Sequence, residues 1–437
     1  MNKDVSVKQL TAADFPPAVR PFWSNIEGNQ IQKLALTLAA IVCYCGLSPR
    51  LRVKYVYDNF LSMLLVNLLC IGDSGCGKKP VQWVVNRLMN PLIEQDEKAR
   101  NILREHREKN RSKANNAKKE PEPLVAIRFL QKFTLPVVVK YADVTHRLYG
   151  DWLPFFLYAD EMGAFIENRS KSAEYQSVAR TAYSLGETYT RDTLYQDGYN
   201  ARVDINWNSV ICGQEYSLAK YIDKQGVVLG DAGRQILVKL GESIGEDALT
   251  VSPFSEQQEK DINGAIDKLM AETFTADDQL VPIREVNMHW LDKDVRLWCE
   301  QQREIILKSG SRAHDSFYVR ASVSAFRLAT MLYHLWDEKE GKRKEVRRCY
   351  YYFAQFILDG LMAQWGQVYE AAMPKERECT TARLTLYDSM PKRFSKEQLR
   401  EAIVKGGLST PARVFVHKWI GRKWIFEVEN EVYEKLY

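Results

Sequence analysis

The run Gly72-Asp73-Ser74-Gly75-Cys76-Gly77-Lys78 has the residue types and spacing of a phosphate cradle. Its three glycines let backbone N–H groups turn inward around phosphate oxygens, and the positive end of a following helix adds to the attraction. Lys78 brings a full charge to the β- and γ-phosphates of a nucleotide. The next position breaks the pattern: a Ser or Thr hydroxyl is expected there as a Mg²⁺ ligand, and the chain has Lys79. Three consequences stay open. The metal is held by other groups, or hydrolysis is weakened, or nucleotide is bound without turnover.

Three further segments carry matching chemistry. Phe155-Phe156-Leu157-Tyr158-Ala159-Asp160-Glu161 is an apolar run ending in two carboxylates. Asp160 suits a Mg²⁺ ligand and Glu161 a base that polarises an attacking water, while the plainer reading is a strand running into a solvated acidic turn. Ser209-Val210-Ile211-Cys212-Gly213-Gln214 ends in an amide that either senses a γ-phosphate or is a simple turn residue. Gly230-Asp231-Ala232-Gly233-Arg234 puts an arginine beyond a glycine turn, as an arginine finger for a neighbouring subunit's nucleotide or as an ordinary surface arginine.

The elements around these residues follow from periodicity. Apolar spacing predicts a buried helix over 31–44, a strand over 50–57, and a strand over 63–71 buried on both faces and ending in the glycine loop. A helix over 81–93 follows, so strand, loop and helix come in the order a phosphate cradle requires. Residues 135–139, 154–158 and 203–211 read as strands and 175–185 as a helix, an alternation that argues for a mostly parallel α/β sheet. The Glu-, Lys- and Arg-rich stretch 94–122 reads as a solvated helix running into a flexible linker, in preference to a dedicated nucleic-acid contact. From 256 onward the pattern is helical, over 261–274, 292–307, 317–337 and 344–371.

The last segment carries its own signal. Ser395-Lys396-Glu397-Gln398 opens a helix with a capping pair, Gly406-Gly407 breaks it, and Ser409-Thr410-Pro411 starts another. That second helix carries Arg413, His417 and Lys418, with Arg422 and Lys423 just past its end, and residues 424–428 alternate like a strand. The pattern is that of a winged helix whose basic helix enters a DNA groove, or of a protein-binding version of the same module.

Composition narrows the class. Of 437 residues, 46% are apolar and 27% charged, values that support a substantial core, and the net charge of +5 is too small to argue for nucleic acid by itself. Eight scattered cysteines lack zinc spacing and read as reduced thiols in a cytoplasmic protein. The start shows no signal pattern, and the most apolar stretch, 56–71, is shorter than a membrane span.

In order and spacing the chain resembles a family of P-loop ATPases of formally unknown function that lie beside or are fused to primases in phages, plasmids and integrative elements, and are labelled primase-associated helicases. The likeness runs from about residue 17 to 370. It rests on Lys78 and Pro80 in the loop, the charged insertion 94–122, Asp143-Val144-Thr145, Asp160-Glu161, Tyr189-Thr190-Arg191-Asp192, Gly213-Gln214, Gly233-Arg234 and a helical segment from Arg320 to His334 with Arg327-Leu328-Ala329. Lys79 departs from it at a catalytic position. The resemblance implies an ATP- and Mg²⁺-dependent DNA helicase or translocase replicating a mobile genetic element. It further implies a homo-oligomer such as a hexameric ring, and a separate primase partner. The fold class expected is α/β, with an AAA+/RecA-like P-loop NTPase core, a helical flanking domain and a C-terminal winged helix. The expected divisions are an N-terminal segment (1–60), the core (61–245), the helical domain (246–378) and the winged helix (379–437). The competing reading is a nucleotide-binding, non-hydrolysing DNA-binding or assembly regulator; a vestigial loop in an interaction protein is the third.

Overall fold

The computed structural model describes residues 9–58, 60–73, 75–111, 113, 120–163, 165, 178–183, 188–191, 200–241, 249–372, 385–408, 410–421 and 424–435. Ser74, Asp192, Ser409, Arg422, Lys423 and part of the expected helix 175–185 lie outside the described residues; 178–181 of that helix are helical. The chain divides into two compact units, Met1–Glu370 and Ala371–Tyr437.

The first unit is built on a five-stranded sheet of β1 (Asn67–Ile71), β2 (Phe129–Leu130), β3 (Phe155–Ala159), β4 (Trp207–Gly213) and β5 (Ile236–Lys239). The strands lie in the order β5-β1-β4-β3-β2, every pair parallel. All residues of β1, β3 and β4 are buried, which is why these strands are mostly apolar, with the buried Asn67, Asn208 and Ser209 hydrogen-bonded. The expectation of an α/β chain with a mostly parallel sheet holds. From β1 the chain goes on to β2 at one edge of the sheet, and from β4 to β5 at the other. Adjacent central strands that send their successors opposite ways leave a crevice at their carboxyl ends.

Helices cover the sheet. α1 (Gln30–Gly46) is apolar nearly all round and buried, opened by an Asn29–Gln32 capping box. Its Gly46 lets Phe156 of β3 approach: a Cβ there would lie 2.4 Å from the Phe156 ring. α2 (Lys78–Arg111) begins at the glycine loop and buries Val81, Val84, Val85, Leu88, Met89 and Leu92. The helices Glu256–Ala271, Asp292–Ser309, Arg312–Leu335 and Arg343–Leu361 follow the apolar spacing closely, and all fall in the same compact unit as the sheet.

Four local expectations need correction. Residues 135–139 open a helix, α3 (Leu135–Tyr149), rather than a strand. The valine run suggested β structure, but Pro136 sits in the first turn, where its missing N–H costs nothing, and Val138, Val139 and Ala142 share a buried face. The run 63–71 is not one strand: Leu61–Met63 pairs with Leu51–Lys54 in another sheet, and β1 starts at Asn67. Side chains hold the break, since Val66 N donates to Asn208 Oδ1 at 2.7 Å and Arg327 Nη1 donates to the Leu65 carbonyl at 2.8 Å. Residues 203–211 likewise divide between Ala201–Asp204, which forms a hairpin with Thr188–Arg191, and β4.

The fourth is partial: the charged stretch is helical and mostly exposed as far as Arg111, as expected, but it is not solvated on every face, and residues 112 and 114–119 of the expected linker lie outside the described residues. α2 runs through it to Arg111 and buries Asp96, Ala99 and Leu103. Asp96 accepts the backbone N–H groups of Arg128 and Phe129, the latter at 2.7 Å, and so sets the start of β2. Burial pushes its carboxyl up to about 6, against the opposing pull of those hydrogen bonds.

The second unit places a helical stretch (385–389) before the strand Arg393–Ser395, the helices Lys396–Lys405 and Ala412–Gly421, and the hairpin Ile425–Glu429/Val432–Lys435. Its sheet is antiparallel with Val432–Lys435 central. The Ser395–Gln398 capping box forms as expected, and Gly407 takes φ +65° where the first helix ends. Phe394, Leu399, Phe415, Trp419 and Tyr433 make its core.

Candidate functional site

Parallel register decides which residues meet. Ile71 lies opposite Gly213, and Ala159 opposite Ile211. The glycine loop, Asp160-Glu161 and Gln214 therefore leave the sheet at one edge, the carboxyl ends of β1, β3 and β4. Gly72 N donates to the Gly213 carbonyl at 3.1 Å, tying the loop to β4.

Within the loop, Gly75 and Gly77 take φ of +92° and +99°, a region that side chains disfavour. Gly72 is needed for space: a Cβ there would lie 2.3 Å from Cys76 Sγ and 3.0 Å from Leu240 Cβ. Cys76 is buried under the loop, and burial raises its thiol, with Lys78 opposing. A Cβ on Gly77 would lie 3.6 Å from Leu249 and 3.9 Å from Gln32 Nε2, so these two side chains flank the loop. Asp73 and Gly75 are exposed.

Lys78 is the first residue of α2, and its ammonium lies 3.9 Å from Glu161 Oε2. Its side chain is only 16% exposed, against 51% for Glu161. Strand β4 separates β1 from β3, so only the tertiary fold joins these two groups. Asp160 stands beside Glu161, also exposed. Met162 then packs on β4, where a Cβ on Gly213 would meet Met162 Cβ at 2.8 Å. Gln214 is exposed and caps the helix Glu215–Tyr221 through its backbone, with no side-chain cap hydrogen bond.

Lys79 does not share the direction of Lys78. It is exposed and lines a groove of about 410 Å³ on the outer face of α2 with Gln82, Trp83, Asn86, Arg87 and Asn90, at helical spacing.

Arg234 is elsewhere. It precedes β5, and Lys239 at the far end of β5 is the register partner of Ile71. Five residues of extended chain place Arg234 on the order of 16 Å from the loop edge, at the amino end of the sheet. Its Nη1 donates to the Gly230 carbonyl at 2.7 Å. Thr145 is buried within α3, its hydroxyl on the Tyr141 carbonyl, and Arg327 is buried against Leu65 and Tyr183. Both have structural duties away from the loop.

In the second unit, Arg413, His417 and Lys418 are exposed, while Ala412, Phe415, Val416 and Trp419 of the same helix face its core. Among the described residues no helix is long and apolar enough to cross a membrane, and no group of three or more His, Cys, Asp or Glu forms a metal site. Arg320, the first residue of the helical segment 320–334 on which the resemblance partly rests, lies over the Gly230–Gly233 turn. Compared with protein-family models and with curated proteins, the sequence matches none.

Proposed function

We propose that the chain is an ATP-binding, ATP-hydrolysing motor acting on DNA, built on an AAA+/RecA-like P-loop core with a C-terminal winged helix. The observation that carries this reading is the approach of Lys78, at the head of a helix behind a glycine turn, to Glu161 at the end of β3. A phosphate cradle, a cation and a candidate base share one edge of a parallel sheet, at a topological switch point where such sheets bind ligands. The loop amides and Lys78 hold the β- and γ-phosphates. Glu161 takes the proton of the attacking water, Gln214 orients that water or senses the γ-phosphate, and Arg234 serves a neighbouring copy.

Mg²⁺, when bound, neutralises charge on the phosphates. Asp160 fits as its protein ligand, being an exposed carboxylate beside Glu161. The hydroxyl ligand is missing at position 79, but Lys79 lines the outer groove, which removes the argument that its ammonium repels the metal.

For the second unit, the order of helix, strand, two helices and hairpin supports the winged helix, with Arg413, His417 and Lys418 as phosphate or base contacts. A ring-shaped homo-oligomer, a separate primase, a cytoplasmic setting and a role in mobile-element replication rest on the resemblance alone. Lys79 specifically favours one second reading, a regulator that binds nucleotide without turning it over.

The test is ATP hydrolysis with and without single- and double-stranded DNA, in the wild type, Lys78→Ala, Glu161→Gln and Arg413→Ala/Lys418→Ala. DNA-stimulated turnover, lost in the first two variants and unstimulated in the third, is expected. Turnover unchanged in Lys78→Ala and Glu161→Gln sinks the reading. Tight ATP binding with no turnover selects the regulator.

A further inference from the structure

The groove of about 410 Å³ on the outer face of α2 begins at Lys79, one residue past the lysine of the phosphate loop. Trp83 lies against Phe254 and Phe22, with ring centroids 5.3 and 6.3 Å away, and those two rings meet edge to face at 5.4 Å. The indole is therefore held in place while 38% of the residue stays exposed. Arg87 is committed to the helix Glu256–Ala271: its Nη2 donates to Glu259 Oε2 and to Asn263 Oδ1, both at 2.6 Å. Asn90, at the far end, donates to Glu94 at 2.8 Å. Gln82 and Asn86 differ from these. They stand four residues apart on one helix face, and neither amide makes a hydrogen bond within the described residues.

We propose that this groove receives the base and ribose of the nucleotide whose phosphates the loop holds, with adenine as the base. The inference rests on the nucleotide-site reading above and adds to it the residues that select the nucleoside. Phosphates in the loop lie off the head of α2, and Gln82, Trp83 and Asn86 follow about 6 to 12 Å along its axis. A nucleoside extending from the cradle along the helix meets a ring and two amides. Adenine presents a donor and an acceptor side by side, N6 and N7, and an Asn or Gln amide answers both. Guanine presents two acceptors there and calls for a cationic fork, but Arg87 is turned to its own partners and Lys79 stands at the loop end. The indole adds an apolar surface for the base or the ribose. A groove of this volume suits one small molecule. A nucleic-acid strand fits it less well, because tracking a phosphate backbone takes a row of cations, and with Arg87 committed the described lining residues offer Lys79 alone.

The test compares binding of ATP, GTP and inorganic tripolyphosphate by calorimetry, with Mg²⁺ present, in the wild type, Gln82→Ala/Asn86→Ala and Trp83→Phe. Tripolyphosphate carries the charges of the phosphate tail and no nucleoside, so it reads the loop by itself. Phenylalanine keeps a ring against Phe22 and Phe254 while reducing the surface that faces the groove. The wild type is expected to bind ATP about tenfold or more tighter than GTP or tripolyphosphate. The double variant should lose about tenfold or more of its ATP affinity and keep its tripolyphosphate affinity. Trp83→Phe should show a smaller loss with the same division between ligands. Urea unfolding midpoints of the double variant should match the wild type, since neither amide holds a partner in the fold. Unchanged ATP affinity in the double variant overturns the inference while leaving the phosphate loop standing. Equal losses for ATP and tripolyphosphate also overturn it, by placing the effect in the loop, and equal wild-type affinity for ATP and GTP overturns the choice of adenine. Loss of single-stranded DNA binding with ATP binding intact assigns the groove to nucleic acid instead. A wild type that binds neither ATP nor tripolyphosphate removes the nucleotide reading and the inference together.

Discussion

Replacing Glu161 with glutamine separates two quantities that most site variants change together. In the chain without nucleotide, Lys78 is shared with Glu161 at 3.9 Å, so incoming phosphates must compete for the ammonium. Coulomb's law at that distance gives about 1 kcal/mol in a water-like dielectric. The water-like limit applies because the Glu161 side chain is 51% exposed, and exposed pairs seldom exceed that value. Glutamine removes the charge and keeps the shape, so nucleotide should bind up to about fivefold tighter. If Glu161 is also the base, turnover falls by about a hundredfold or more in the same variant. The assay is titration of a fluorescent ATP analogue, with and without Mg²⁺, beside steady-state phosphate release. Opposite changes in affinity and turnover are expected. Unchanged or weaker affinity in both conditions refutes the competition between Glu161 and the phosphates, and unchanged turnover refutes the catalytic assignment.

Three other perturbations follow from the geometry. Gly72→Ala drives a methyl into Cys76 Sγ, and should abolish nucleotide binding with the fold retained; adding Cys76→Ala should restore part of it, as calorimetry can check. Lys79→Ser and Lys79→Met should both leave turnover little changed, because position 79 lines the outer groove; a rise in the Ser variant alone, in a phosphate-release assay, would mean that a hydroxyl there does reach the metal. Asp96→Asn should cost about 1–3 kcal/mol in urea unfolding, since an amide NH2 would face the Arg128 N–H that Oδ1 accepts, leaving only one oxygen to serve both that group and the Phe129 N–H. The Asp96 carboxyl is raised in the folded state, so its contribution is full below about pH 4 and is lost as pH rises through about 6; the gap between wild type and variant should narrow over that window.

Much of this protein is local and therefore legible in its sequence. The glycine loop shows because a left-handed turn needs Gly75 and Gly77 whatever surrounds it. The buried strand β3 shows as an unbroken apolar run, β1 and β4 as apolar stretches whose bounds the sequence blurs, and the later helices as three- and four-residue spacing. Capping chemistry placed the start of the helix Lys396–Lys405. Where local signals conflict, the reading failed: valines outweighed Pro136 at α3, and a dense run of charges hid the buried Asp96.

Tertiary structure alone decided the rest, because sheet order and register carry no local mark. Only the order β5-β1-β4-β3-β2 brings Glu161 to Lys78 across an intervening strand, and only the parallel direction of β5 sends Arg234 to the far edge. Sequence determined that a lysine, Lys79, follows Lys78; the helix phase of α2 decided that its side chain lines an outer groove. Arg320 illustrates the division most clearly. On the sequence it is one arginine among many on an amphipathic helix, and it meets Arg234 only because packing lays that helix across a turn of two glycines 87 and 90 residues earlier.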